Sequence, residues 1–92
     1  MVKGKTESGF AFKIEDEARD DMEMLENLTA ISNGDISVLP KTIEMLLGAE
    51  QKKKLYDHCR GKSGRVSSKK VMEELKYIFD EIGKTDDEIK NS

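Results

Sequence analysis

His58 and Cys59 are the side chains best suited to nucleophilic chemistry, because a thiolate can attack a substrate and an imidazole can take its proton. They are adjacent, however, and neighbouring residues of a helix point about 100° apart. A base that points away from its nucleophile activates it poorly. One Cys and one His cannot by themselves fill the four positions of a tetrahedral zinc site. A single Cys also cannot form an internal disulfide. We therefore predict structural roles for both residues.

Two further features were candidates for binding chemistry, and neither fits a known site. Asn33-Gly34-Asp35 would occupy the middle of a calcium loop, but Ile31 then replaces the first Asp and Thr42 replaces the closing Glu. Five acids crowd the start of the first predicted helix, where the helix dipole favours them: Glu15, Asp16, Glu17, Asp20 and Asp21. We predict a solvated helix start there, no cofactor, no metal, and no enzymatic activity.

Charge is distributed in blocks along the chain, although the net charge is only −3. Residues 1–14 carry three bases and one acid, whereas residues 15–51 carry ten acids and two bases. Residues 52–70 carry eight bases and one acid, and residues 71–92 carry seven acids and three bases. Alternating blocks can pair within the chain, between copies, or with a polyanion.

The basic block 52–70 leaves a nucleic-acid-binding function open. Helix–turn–helix proteins place such residues against phosphates. No aromatic side chains interleave with these bases for stacking on single strands, and the whole chain is acidic. We therefore expect the block to complement the acidic first helix, in the same molecule or in the next, and we consider nucleic acid an unlikely partner.

The elements that position these residues are mostly helices, and the connections between them contain glycine. Hydrophobic spacing predicts a first helix over residues 16–32, with Met22, Leu25, Leu28 and Ile31 on its buried face. Asp35 is predicted to cap the next segment, in which Ile36 to Leu39 form a separate turn before Pro40. Gly48 is predicted to end that helix. The buried face of this segment is predicted to contain Ile36, Leu39, Ile43, Leu46 and Leu47.

Two more helices are predicted in the second half of the chain. The third covers about residues 49–60, with Leu55 and Cys59 one turn apart. Ser67 is predicted to cap the fourth helix, which Gly83 ends. Its buried stripe is predicted to consist of Val71, Leu75, Ile78 and Ile82. The sequence therefore predicts an all-α fold, a small bundle of about four helices.

The two ends of the chain are predicted to lie outside this bundle. Residues 1–9 have almost no apolar side chains and are expected to be disordered. Phe10, Phe12 and Ile14 then alternate with polar or small residues, which predicts a short extended N-terminal arm. A lone strand needs a partner, which would be another copy or a second protein. The predicted organisation is a single helical domain over residues 10–83 and a polar C-terminal tail over residues 84–92.

The segment from Leu39 to Leu55 contains the most specific pattern in the chain. Its core is the sequence Leu-Leu-Gly-x-Glu-Gln, formed by Leu46, Leu47, Gly48, Glu50 and Gln51. It is followed by Gly64-Arg65-Val66-Ser67 and an acidic last helix that carries Phe79. It is preceded by Gly9-Phe10-Ala11-Phe12, the acidic residues 16–21 and Asn33-Gly34-Asp35. In order and spacing, residues 8–82 resemble tail assembly chaperones of long-tailed, siphovirus-like phages and prophages.

This resemblance implies a role in tail morphogenesis. Such chaperones are helical, coat the tape-measure protein, recruit tail-tube subunits around it, and are not retained in the virion. A longer form is often made by a programmed ribosomal frameshift. The implied partners are therefore the tape-measure protein, the tail-tube protein, other copies of this chain in a homo-oligomer, and a frameshifted longer form. A nucleic-acid-binding regulator and a structural tail-completion or connector protein remain alternatives.

The family supplies no defined contact residues, so a binding surface has to be predicted from the helix wheel. Met45 lies off the apolar face of its helix, and Tyr77 lies opposite the buried stripe of the last helix. We expect Phe10, Phe12, Met45 and Tyr77 to contact the tape-measure protein or a second copy. No apolar run approaches the roughly 20 residues of a membrane span, and residues 1–9 lack an apolar signal core. The expected location is the host cytoplasm.

Overall fold

A computed structural model describes the backbone of residues 1–91 and the side chains of residues 1–83. The elements are β1 (Val2–Lys5), β2 (Ala11–Ile14), α1 (Asp16–Arg19), α2 (Met22–Ser32), a 3₁₀ turn (Ile36–Val38), α3 (Leu39–His58) and α4 (Ser68–Asn91). The fold is mostly helical, as predicted, with a small two-stranded antiparallel sheet at the N-terminus. The sheet is a departure from the all-α prediction.

The N-terminal segment forms a β-hairpin, where the sequence predicted a disordered stretch and an unpaired arm. β1 pairs with β2 in antiparallel register, from Val2 opposite Ile14 to Lys5 opposite Ala11. The expected partner of the Phe10–Ile14 strand is therefore the preceding segment of the same chain. Thr6 closes the turn, since its backbone N–H donates to the carbonyl of Phe10 at 2.9 Å and its hydroxyl accepts from the Phe10 N–H at 3.1 Å.

The hairpin is stable because one of its faces is buried against the helices. Val2, Phe12 and Ile14 on that face are almost fully buried. Gly4 lies opposite Phe12, and a Cβ at Gly4 would approach the Phe12 Cζ to 2.8 Å. The ring therefore occupies the space that a side chain at position 4 would need, which explains how so polar a strand contributes to the core.

The first predicted helix is divided in two, and its predicted buried face is half exposed, with Leu28 and Ile31 only partly buried. The Asp21 carboxylate accepts hydrogen bonds from the backbone N–H groups of Glu23 and Met24, at 2.9 and 3.3 Å. Asp21, which has an extended backbone, therefore acts as the N-cap of a separate helix, α2. As a result Met24 is buried, whereas Met22 and Leu25 are 66% and 55% exposed.

The middle of the chain follows the prediction more closely. Asp35 caps the 3₁₀ turn by accepting from the Ser37 N–H at 3.1 Å, and Pro40 lies in the first turn of α3. Gly48 has φ 83° and ψ 161°, so it breaks α3 into two helical segments as predicted. Ile43, Leu46 and Leu47 are buried. Ile36, predicted to share their face, is 63% exposed because it belongs to the preceding turn.

Helix α4 continues through Gly83 to Asn91, which contradicts the predicted helix end at Gly83. Gly83 does not adopt a positive φ, and a glycine ends a helix chiefly when it does. The last residue of the predicted tail, Ser92, lies outside the described residues. The predicted stripe of Val71, Leu75 and Ile78 is buried, and Ile82 is half-buried beside it.

One hydrophobic core joins the hairpin to the helices. Its buried members are Val2, Phe10, Phe12, Ile14, Met24, Ile43, Leu46, Leu47, Leu55, Cys59, Val71, Leu75 and Ile78. The hairpin contributes four of these residues and α2 contributes one. The core is therefore centred on α3, with the hairpin and α4 packed around it and α2 attached at its edge.

Candidate functional site

The surface beside α2 has exposed apolar side chains and a groove. The large apolar residues that are exposed among the described side chains are Met1, Met22, Leu25, Ile36 and Met72. Two of them, Met22 and Leu25, belong to α2, and Leu25 lines the groove. Single exposed apolar residues are normal, but one on the wall of an apolar depression is a feature of binding sites.

We define the apolar groove as the depression between α2 and the second half of α4. Its volume is about 480 Å³. Its floor contains the buried residues Met24 and Leu46. Its walls are formed by Leu25, Leu28 and Ile31 on one side and by Phe79 and Ile82 on the other. This composition is typical of a site that binds an apolar face of another molecule.

The apolar groove extends along α4 beyond Phe79. A second depression of about 320 Å³ shares Ile31 and Phe79 with the first and adds Leu39 and Met72. Phe79 is half-buried and lies at the junction of the two. The two depressions therefore form one apolar surface that follows α4 for several turns.

The segment before α2 and the first turns of α2 are rich in acids. Between residues 15 and 26 the chain has seven acids and one base, Arg19. Arg19 lines one end of the groove and pairs with Asp16 at 3.4 Å. Glu23 and Glu26 are exposed on α2, and Asp80 is exposed on α4. The charged residues that line the two depressions themselves are Arg19, Lys76 and Asp80.

The predicted contact residues are not brought together by the fold. Phe10 and Phe12 are 5% and 4% exposed and belong to the core, so in this conformation they offer almost no surface to a partner. The reason is that the hairpin folds back over the helices and buries the face on which both rings lie. Sequence analysis could not detect this, because it predicted no partner strand in residues 1–9.

Met45 and Tyr77 are half-buried and pack against the core from different sides. The Met45 sulfur lies 3.4 Å from the amide nitrogen of Asn27 in α2. Tyr77 lines a separate depression beside the hairpin turn, together with Thr6 and Ser8. Neither residue lines the apolar groove. The predicted four-residue surface is therefore two core residues and two separated, half-exposed ones.

The family-like residues of α3 have identifiable structural roles. Leu46 and Leu47 are buried, and Gly48 supplies the break described above. Glu50 is exposed and pairs with Lys54 at 3.6 Å. These residues connect the two segments of α3, and Leu46 also contributes to the floor of the apolar groove.

Gln51 connects α3 to the outer edge of β2. Its Oε1 accepts from the Lys13 backbone N–H at 2.9 Å, and its Nε2 donates to the Lys13 carbonyl at 2.8 Å. The side-chain amide therefore occupies the place of a third strand at this position. Nε2 also donates to the Leu47 carbonyl at 2.7 Å, which fixes the amide on its helix. Unpaired strand edges promote aggregation, and this contact covers part of one.

A polar cluster joins the hairpin turn to the helices and includes His58. The Ser8 hydroxyl oxygen lies 2.8 Å from Nε2 of His58, and the hydroxyl donates to the buried carboxylate of Glu74. A hydroxyl has one proton, so His58 must be the donor in its contact with Ser8. The imidazole is thus placed to hold Ser8, not to take its proton. The ring also packs against Phe10, with centroids 5.6 Å apart.

The sequence gives no signal for Ser8 and Glu74, because they are 66 residues apart and neither belongs to a motif.

Cys59, which follows His58 in the chain, is buried, and burial raises the pKa of its thiol. The Glu74 carboxylate raises that pKa further, while Lys70 opposes the shift. Among the described residues, no group of three or more His, Cys, Asp or Glu side chains is placed to hold a metal ion.

Basic residues gather around the α3–α4 connection, and none of them lines the apolar groove. We define the basic end as the exposed cations of the α3–α4 connection and the first turn of α4, namely Arg60, Lys62, Arg65, Lys69 and Lys70. Arg60 is tied to the connection, since it donates to the Gly64 carbonyl at 2.6 Å and pairs with Asp57 at 3.2 Å. The other four have no ion pair among the described residues.

Comparison with known proteins gives no assignment: no family model, no curated protein and no solved structure matches this chain. Within the described part of the chain, no helix combines the length and the apolar content that crossing a membrane requires.

Proposed function

We propose that this protein is a phage tail assembly chaperone. In this role it binds the tape-measure protein in the host cytoplasm, keeps it soluble, recruits tail-tube subunits, and leaves before the virion is complete. The proposal includes no catalytic step, metal or cofactor. The family and its partners come from the resemblance carried by the Leu46–Gln51 pattern and the segments around it.

The apolar groove is the observation that supports this proposal most directly. A chaperone for a long helical protein has to cover apolar faces that would otherwise aggregate. The groove offers Leu25, Leu28, Ile31, Phe79 and Ile82 on walls that open to solvent. Of the family-like residues of α3, Leu46 lies in the floor of the groove. In this proposal the contact surface is the groove, and the hairpin is scaffold.

Co-expression with the tape-measure protein tests the proposal. The candidate is the long helical protein encoded by a neighbouring gene, and the measurement is its soluble fraction with and without this chain. Leu25→Asp places a charge on the groove wall and is expected to lower that fraction. Ile36→Asp is the matched control, because Ile36 is equally exposed but lies outside the groove.

Two outcomes would contradict the proposal. The first is a tape-measure protein that is equally soluble with wild type, with the Leu25→Asp variant and with no chaperone. The second is detection of this chain in purified virions, which would favour a structural tail-completion or connector protein. Mass spectrometry of purified particles separates that alternative from a chaperone.

The basic end supports a second candidate function, a small nucleic-acid-binding regulator. Lys62, Arg65, Lys69 and Lys70 are exposed and close in sequence to one helix start. Binding to phosphates would weaken steeply as the salt concentration rises. Electrophoretic mobility shifts with DNA fragments, compared between wild type and a Lys69→Glu, Lys70→Glu variant, test this function. Binding that is absent at low salt, or unchanged in the variant, contradicts it.

A further inference from the structure

We propose that the depression beside the hairpin turn binds an aliphatic chain with two ammonium groups, one of which pairs with the buried carboxylate of Glu74. Glu7, Glu73 and Glu74 line this depression and neither part of the apolar groove. The inference therefore does not rest on the proposed function. It is supported by a buried acceptor without a donor, by the charge of the lining, and by the size of the depression.

The carboxylate of Glu74 has one oxygen that accepts a hydrogen bond and one that does not. Thr6 and Glu74 are 5% and 8% exposed and form the floor of the depression. Oε1 of Glu74 accepts from the Ser8 hydroxyl, which in turn accepts from His58. Oε2 is shielded from solvent and has no hydrogen-bond partner among the described residues. Lys70, one turn before Glu74 in α4, does not line the depression. A buried charged oxygen without a donor costs free energy, so this position favours a ligand that brings N–H groups.

The charges that line the depression are mostly negative. They are Glu7 from the hairpin turn, Glu73, Glu74 and Asp80 from α4, and a single base, Lys76. No ion pair joins Lys76 to any of these acids within the described part of the chain. Four acids against one base favour a ligand that carries more than one positive charge.

The spacing of these acids favours a flexible ligand. Among the residues that the structure describes, the acids do not converge in the way that the ligands of a metal ion do. Glu7 belongs to the hairpin turn and Glu73 to α4, and both are exposed. An alkyl chain with an ammonium group at each end can reach acids on both elements, because each ammonium is a compact charge with three donors.

The depression has the size and the composition of a small-ligand site. Its volume is about 400 Å³, and sites for small molecules measure roughly 300–1,000 Å³. Tyr77 contributes a half-buried aromatic ring to the lining. Such a ring packs against methylene groups and attracts cations to its face. Because Oε2 of Glu74 is covered, binding requires a rotamer change at the rim, where Ser8 is exposed.

Three probes with the same four-carbon chain test the inference by isothermal titration calorimetry of the full chain at low salt. Diaminobutane is expected to bind, and butylamine is expected to bind about fivefold more weakly, because it lacks the second ammonium. Butanediol, which has no charge, should not bind. The affinity for diaminobutane should fall as salt is added, since most of the acids are exposed and therefore screened.

Three variants locate the binding. Glu74→Gln keeps an acceptor for the Ser8 hydroxyl but removes the charge, and is expected to weaken diaminobutane binding about tenfold or more. Glu73→Gln should weaken it severalfold, and this exposed position can be changed without disturbing the core. Glu26→Gln is the matched control, because it changes the net charge equally but lines neither this depression nor the apolar groove.

A dilysine peptide with blocked ends distinguishes the two sources of such a ligand. Tighter binding of diaminobutane assigns the site to a free diamine, whereas tighter binding of the peptide assigns it to lysines of a bound protein. The inference is overturned if neither binds, if butylamine binds as tightly as diaminobutane, or if calcium chloride binds in place of the diamine. Affinity that Glu73→Gln leaves unchanged, or that Glu26→Gln and Glu74→Gln lower equally, would overturn it as well.

Discussion

The side of the molecule that carries the hairpin buries its large apolar residues, whereas the side that carries α2 leaves similar residues exposed. On the hairpin side Ile14 and Leu55 are fully buried, and Phe12 is 4% exposed. On the α2 side Leu25 is 55% exposed and Met22 is 66% exposed. The chain therefore completes its core on one side and leaves an apolar surface uncovered on the other.

The difference is produced by where the chain caps its helices and pairs its strands. Ser8 and Gln51 each join the hairpin to the helices through side-chain hydrogen bonds. α2 starts at an independent cap, Asp21, and Met24 is its one buried residue, with Leu28 half-buried against the core. We interpret the hairpin side as scaffold and the α2 side as a binding surface.

The largest expected effect comes from a matched pair of leucine truncations. Leu55→Ala removes a fully buried side chain and is expected to lower the free energy of unfolding by about 3 kcal/mol. Leu25→Ala should change it by less than about 0.5 kcal/mol, because most of that side chain is already in water. Urea denaturation followed by circular dichroism measures both values. Similar losses for the two variants would show that the two sides do not differ.

A pair of glycine substitutions is expected to have the next largest effect. Gly48 has a backbone conformation that is almost restricted to glycine, so Gly48→Ala should lower the free energy of unfolding by about 1–3 kcal/mol. Gly83 is helical, and a Cβ there meets nothing within 4 Å. Gly83→Ala should therefore raise stability by up to about 1 kcal/mol. Opposite shifts in thermal unfolding are expected, and a stabilising Gly48→Ala would contradict the break in α3.

The contact between Gln51 and β2 predicts a smaller loss. Gln51→Ala removes three hydrogen bonds and leaves the Lys13 backbone groups without their protein partner, so about 1–2 kcal/mol should be lost. Glu50→Ala is the neighbouring control, since it removes only an exposed ion pair worth about 0.5 kcal/mol or less. Amide hydrogen exchange should be faster at Lys13 in the Gln51→Ala variant. Unchanged exchange there would contradict the role assigned to Gln51.

The smallest effect concerns the thiol of Cys59. Burial and Glu74 raise its pKa in the folded state, so the folded protein favours the neutral thiol. The raised pKa therefore makes its full contribution to the free energy of unfolding at neutral pH. That contribution is lost as the pH rises past the ordinary thiol pKa of about 8.5, where the unfolded chain ionises first. Alkylation by iodoacetamide at pH 8 should be much slower in the folded protein than in urea. Equal rates would show that the hairpin side opens readily.

Much of α3 and α4 could be predicted from sequence, because their apolar residues repeat at helical spacing and their caps are local. The stripe of Val71, Leu75 and Ile78 is buried as expected, and the break at Gly48 follows from one residue type. Such features depend on neighbours within a few positions. They therefore leave a readable pattern in a single sequence.

The hairpin is not predicted from the sequence, because the inward-facing positions of β1 are mostly not apolar. Val2 and Gly4 face inward on β1 and Thr6 is buried just after it, but only Val2 is apolar. The signal that remains is the period of two, together with the Ser8-Gly9 turn. The close approach of Phe12 to Gly4 depends on strand pairing, and no single-strand pattern reveals it.

The groove was concealed for a different reason. The stripe of Met22, Leu25, Leu28 and Ile31 was recognised, but helical spacing alone cannot tell a core face from a binding face. Asp21 decides between them by restarting the helix, and its capping role becomes evident only with the carboxylate placed at the Glu23 and Met24 N–H groups. Which surface, if any, covers this stripe depends on tertiary packing.

Amide chemical-shift mapping by NMR tests the difference between the two sides most directly. The chain would be titrated with a fragment of the tape-measure protein, and shift changes would be recorded at every assigned residue. Our account predicts that the largest changes fall on residues 22–32 and 79–83, with small changes on residues 2–14. Changes centred on the hairpin or on the basic end, with the groove unaffected, would contradict it.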